Sequence, residues 1–176
     1  MFFHTYQNPK FLERLRGRAD AVAKVMGSRE YGTVRGLVSF YQLTDQVLVQ
    51  ASFIGLPDTV RQSPGGRPCG GSIFGLHIHT GGSCTGNDTD PFANAGSHYD
   101  NTLTSSGGGC PHPYHAGDLP PLFVNNGSAY MVVATNRFTV EEILGRTVIV
   151  HAHVDDFHSQ PSGDAGGRIA CGVIER

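Results

Sequence analysis

Tryptophan is absent from this sequence, and long apolar runs are missing as well. No stretch approaches the roughly 18 apolar residues of a membrane-spanning helix, so no membrane partner of that kind is expected. Charge is scarce: 16% of residues are Asp, Glu, Lys or Arg, and the formal net charge is −2. With no run of Lys and Arg, nothing draws the chain to nucleic acid, and any anion it handles must be steered by local charges. The N-terminal MFFHTYQNPKFLERLRGR lacks the apolar core and small-residue cleavage site of an export signal. The expected compartment is therefore the cytosol; the alternative is export under a leader that this sequence does not carry. Cysteine is sparse too. Cys69, Cys84, Cys110 and Cys171 allow three complete pairings, and in the cytosol free thiols or metal ligands are the default.

What the sequence has in abundance is glycine and proline, 24 and 10 of its 176 residues. Short β-branched and apolar runs separated by Gly, Pro, Asn and Asp point to an all-β sandwich or barrel of one domain. Asn8 as N-cap and Pro9 at the first helical position open a short helix that Gly17 stops. Residues 1–20 read as an extension carrying that helix, and residues 21–176 as the β domain. TVRGLVSFYQ (33–42) and VLVQASFIGL (47–56) read as a hairpin, followed by strands at 72–79, 128–138, 147–154 and in RIACGVI. EEIL looks helical. From Thr80 to Pro121 there is almost no periodicity, and a loop that long in a compact domain is usually functional.

Histidine is concentrated where the pattern fades. Eight of the nine histidines fall between 77 and 158. On a strand, His77 and His79 share one face while Leu76 and Ile78 take the other. Two imidazoles fixed side by side are ready ligands for copper, zinc or iron. His98, His112, His115 and Asp118 lie in the long loop, and His151 sits in the apolar strand VIVHAH, where an unpaired ring would be costly to bury. His153 shares the face of His151, whereas His4 and His158 read as surface residues.

Taken together, these segments resemble the copper/zinc superoxide dismutases, in particular their bacterial branch. GLHIH (75–79), GSHYD ending at Asp100, HAGDLPPL (115–122), GRTVIVHAHVDD (145–156) and GGRIACGVI (166–174) occur in the family's order, from about residue 32 to the end. The resemblance implies an eight-stranded Greek-key β-barrel with two long loops. It implies copper on His77, His79, His98 and His151, with His98 bridging to zinc. It further implies conversion of superoxide to dioxygen and hydrogen peroxide by alternate reduction and reoxidation of copper, an antioxidant activity. Arg168 matches the family's arginine beside the copper, whose pull on an anion should weaken with salt. Asp155 matches the aspartate that hydrogen-bonds metal-bound histidines, and Cys84 and Cys171 match the family's disulfide. Family members are often homodimers.

The zinc segment departs from the pattern. Where the family places a histidine seven to nine residues after the bridging one, this chain has Ser105, Ser106 and Gly107. His98, His115 and Asp118 supply three ligands of the four that zinc takes. His112 is the favoured substitute and Cys110 the second candidate; a vacant or copper-only site is the alternative. Cys69 and Cys110 either form a second bridge or remain thiols. The competing functional reading is a dismutase-like domain that sequesters or delivers copper.

Overall fold

The computed structural model describes residues 9–58, 60–62, 68–70, 72–102 and 108–176. A short helix, α1 (Pro9–Arg16), is followed by β1 (Ala21–Gly27), β2 (Arg35–Gln42) and β3 (Val47–Ile54). A two-stranded ribbon of β4 (Val60–Gln62) and β5 (Pro68–Gly70) comes next, then β6 (Ile73–His79), β7 (Asp118–Phe123) and β8 (Ala129–Thr135). One turn of helix, α2 (Val140–Ile143), leads into β9 (Thr147–His151) and β10 (Arg168–Glu175).

Eight strands form one antiparallel sheet in the order β7-β6-β9-β10-β1-β2-β3-β8. Its two end strands, β7 and β8, meet, so the sheet curls into a nearly closed barrel. β1, β2 and β3 run as a meander; the chain then crosses to β6 on the far side and returns with β8 beside β3, which is the Greek-key path expected from the resemblance. The hairpin of β2 and β3 is in register from Arg35 opposite Ile54 to Gln42 opposite Val47. Thr139 caps α2, accepting from the Glu142 amide while the Glu142 carboxylate accepts from Thr139 N–H.

Three strand assignments depart from the sequence pattern. β1, AVAKVMG, alternates buried and exposed side chains, but Ala, Lys and Met favour helix and mask that period. β7, DLPPLF, lies inside the stretch expected to be loop as far as Pro121. As an end strand pairing with β6 alone, it tolerates Pro120 and Pro121, which have no N–H to give to a second neighbour. The β4–β5 ribbon is too short to leave any period.

The interior is filled by residues such as Val25, Val38, Phe40, Phe53, Leu76, Ile78, Val148, Val150 and Ile174. β6 is buried on both faces. Leu76 and Ile78 enter the core, whereas His77 and His79 face outward and are covered by the loops that follow β6 and β9. β9 behaves alike: Val148 and Val150 point in, Ile149 and His151 out. Ile149 belongs to a small second cluster with Phe92, Ala95 and Cys171, which seats the 81–97 loop on the barrel wall.

Candidate metal centre

Strand register assembles the histidines. His77 lies opposite Ile149 of β9 and Asp118 of β7, and His151 lies opposite Arg168 of β10. An isolated bridge between His79 and His98 pins the loop against the end of β6. Two groups result: His77, His79, His98 and His151, and His98, His112, His115 and Asp118. In each, the ligand atoms all lie within 4.8 Å of one another. His98 belongs to both. His112, rather than Cys110, completes the second group.

Hydrogen bonds fix which ring nitrogen is left bare in His77, His79, His98, His112 and His151. Asp155 Oδ2 accepts from His77 Nε2 and Asp155 Oδ1 from His112 Nε2, each at 2.8 Å. In a neutral ring this leaves Nδ1 as a bare lone pair, and Nδ1 of both rings is buried without a hydrogen-bond partner. His79 Nδ1 donates to the Gly96 carbonyl at 2.9 Å and His151 Nδ1 to the Gly166 carbonyl at 3.1 Å. Their Nε2 atoms then face each other at 3.2 Å. Both carry lone pairs, so the contact is repulsive unless a cation lies against it.

His98 is tied through Nδ1 to Asp118 Oδ1 at 2.8 Å and presents Nε2, buried and unpartnered. His112 Nδ1 and His115 Nδ1 stand 3.0 and 3.2 Å from Asp118 Oδ2, and neither makes a hydrogen bond. Such short, misdirected approaches suit atoms aimed at a common point rather than at each other. Orphaned buried nitrogens cost free energy unless something satisfies them. The donor sets fit metals: four imidazoles suit copper, and three imidazoles with one carboxylate suit four-coordinate zinc.

Burial keeps three of these rings, His79, His98 and His151, neutral. Desolvation, with help from neighbouring rings, pushes His98 down to about 4 and His151 to about 3, and holds His79 well below its ordinary value. Burial alone would raise Asp118 and Asp155, but hydrogen bonds from His98 to the first, and from His77, the Phe157 amide and His112 to the second, hold both low. His79, His98 and His151 are thus neutral, each with one ring nitrogen lacking a proton, and the two carboxylates are ionised, as metal binding requires.

Further residues support the centre without a sequence signature. Gln160 clamps His112 at both backbone groups, accepting from its N–H at 3.0 Å and donating to its carbonyl at 2.8 Å. Arg137 Nη1 lies 3.1–3.3 Å from the carbonyls of Pro113, His115 and Asp118. Gly163, at φ +66, leaves room for Asp155; a Cβ there would come within 2.0 Å of Oδ1. Sequence offered no signal for Gln160 or Arg137, because their partners are backbone carbonyls and amides.

His79, His98 and His151 border a cleft of about 720 Å³, as does His115 of the second group, so small molecules can reach the all-imidazole group. Arg168 lines the same cleft. Its guanidinium donates to the carbonyls of Phe92 and Gly96, each at 2.7 Å. Cys84 and Cys171 form a disulfide with Cα atoms 5.6 Å apart, tying the loop to β10. Cys110 is a free thiol at the cleft wall; the side chain of Cys69 lies outside the described residues. His153 and His158 are exposed, and His4 lies outside the described residues.

A Greek-key barrel whose two histidine groups share one imidazole defines a binuclear metalloprotein. The family of copper/zinc superoxide dismutases (SODC) matches residues 34–174. The chain belongs to that family, and copper and zinc are its metals. It is 39% identical over 114 residues to a Cu-Zn superoxide dismutase of Photobacterium leiognathi, covering 58% of this chain and 64% of the relative. With the Deinococcus radiodurans Cu-Zn superoxide dismutase it shares 38% over 114 residues, 57% of this chain and 62% of the relative. With the copper chaperone for superoxide dismutase of Rattus norvegicus it shares 30% over 171 residues, 93% of this chain and 55% of the relative. The chain thus spans less than two thirds of the length of each of these curated relatives.

Proposed function

We propose that the chain is a superoxide dismutase. His77, through Nδ1, and His79, His98 and His151, through Nε2, would hold copper; His112 and His115, through Nδ1, with Asp118 and a His98 that gives up its Nδ1 proton, would hold zinc. Bound there, copper would supply a one-electron store; the zinc would have no redox role. The rest falls to the chain's own groups. Arg168, fixed by the Phe92 and Gly96 carbonyls, holds an anion beside the open imidazole group. His98 borders the cleft, and when its buried Nε2 is not bound to metal that atom can hold one of the two protons that the reduced product takes up, the other coming from solvent. Asp155 keeps His77 and His112 in the tautomers that leave Nδ1 bare. The observation that carries the reading is the set of bare, buried ring nitrogens converging at a cleft that also holds Arg168.

The test is dismutation of enzymatically generated superoxide by protein of measured copper and zinc content. Activity well above that of free copper supports the reading; a folded, copper-replete chain without it ends it. A copper-delivering domain is the second reading, favoured by the likeness to the rat chaperone over 93% of this chain. That role has no use for Arg168, so Arg168→Glu separates the two: activity falls steeply in an enzyme, while copper uptake and release are unchanged in a carrier.

A further inference from the structure

Arg168 does not act alone. Its Nη1 lies 3.5 Å from Asp90 Oδ2, and both residues line the cleft. Asp90 is built into the loop with care: Oδ1 accepts from the Phe92 amide at 3.0 Å, its own N–H donates to Asn87 Oδ1, and its carbonyl accepts from Asn87 and Ala93. Phe92 is also the residue whose carbonyl holds Arg168. One oxygen of Asp90 therefore shapes the turn that orients the guanidinium, and the other opposes its charge. Among the described residues lining the cleft, Arg168 is the sole Lys or Arg, while Glu30, Asp90 and Asp100 are acidic.

We propose that Asp90 sets the anion affinity of the cleft by partly cancelling Arg168, making it a specificity-determining residue rather than part of the loop's scaffold alone. An anion approaching Arg168 meets a dipole instead of an isolated cation, so attraction is short-ranged and depends on contact. The inference rests on the copper assignment above but not on turnover.

Azide titration of the copper- and zinc-loaded protein, followed by its copper charge-transfer absorption, reads the effect directly. Asp90→Asn keeps an oxygen for the Phe92 amide and removes the charge. It should bind azide roughly three- to tenfold more tightly at low salt. The gain should shrink toward nothing as salt screens the part-exposed pair. Asp90→Glu, which restores the charge, should stay near wild type, and in an Arg168→Ala background Asp90→Asn should gain less. Should Asp90→Asn fail to fold, Asp90→Ser, with an oxygen for the same amide, carries the same expectation. Equal azide affinity and salt slope in wild type and the uncharged variants overturns the proposal even if dismutation is fast. Tighter azide binding in a protein that does not dismutate superoxide sustains the proposal and ends the enzymatic reading instead.

Discussion

Asp155 is the residue on which both metal groups turn. Its side chain is buried, and its two oxygens accept from His77 Nε2 and His112 Nε2, one ring in each group. An amide in its place can accept from one ring, but its NH₂ must face the other and drives that ring into the wrong tautomer. Asp155→Asn should therefore weaken copper and zinc together, by about 10–100-fold. Chelator competition measured for each metal checks this, and a loss confined to one metal would contradict it. Sequence could show Asp155 as the matching aspartate of the resemblance. It could not show Gly163, whose missing Cβ makes room for it, or the Gly96 and Gly166 carbonyls that select the tautomers of His79 and His151. Backbone acceptors leave no trace in residue type.

At the scale of elements, β6 was legible because its period of two is sharp: Leu76 and Ile78 inward, His77 and His79 outward. β7 was not, since its prolines are permitted only by an end position that sequence does not reveal. The zinc segment shows the same limit. His112 stands two residues from Cys110, and spacing alone left both as candidates; the fold anchors His112 to Gln160 and Asp155 and groups it with His98, His115 and Asp118, which spacing could not show. The loop of residues 81–97 is held to β10 by the Cys84–Cys171 disulfide, which closes 87 residues of chain. By loop-closure entropy such a link contributes about 4–5 kcal/mol as an upper bound. The double variant Cys84→Ser, Cys171→Ser should melt at a clearly lower temperature. It should also lose more anion affinity than metal affinity, because Arg168 hangs from Phe92 and Gly96 of that loop while three of the four copper-group histidines sit on strands. Azide titration beside metal analysis distinguishes the two losses, and equal losses would count against this division of labour.

For the whole molecule, the barrel and the metal centre are separate layers. Core residues such as Phe40, Leu76, Val150 and Ile174 pack inside the sheet, and the histidines lie on its outer wall beneath the loops. Stripping the metals should leave a folded barrel with unchanged far-ultraviolet dichroism. Hydrogen exchange should quicken in the loops at 80–102, 108–117 and 152–167, and protection of β1, β2 and β10 should persist. The melting temperature should fall, since each metal stabilises by RT ln(1 + [M]/Kd), about 4 kcal/mol at a thousandfold excess over Kd. The metal-free protein should then show a pH dependence with a defined sign. His98 titrates at about 4 and His151 at about 3 in the folded chain, below the ordinary 6.5 expected once unfolded. The unfolded chain thus binds more protons between those values, so stability is fully present above about pH 6.5 and drains away as pH falls toward 4. Melting curves of the metal-free protein at pH 7.5, 6, 5 and 4.5 should step downward, by an amount on the order of a few kcal/mol overall. Flat melting across that range would mean that the rings are already protonated or solvent-exposed without metal, and that metal, rather than the barrel, draws them together.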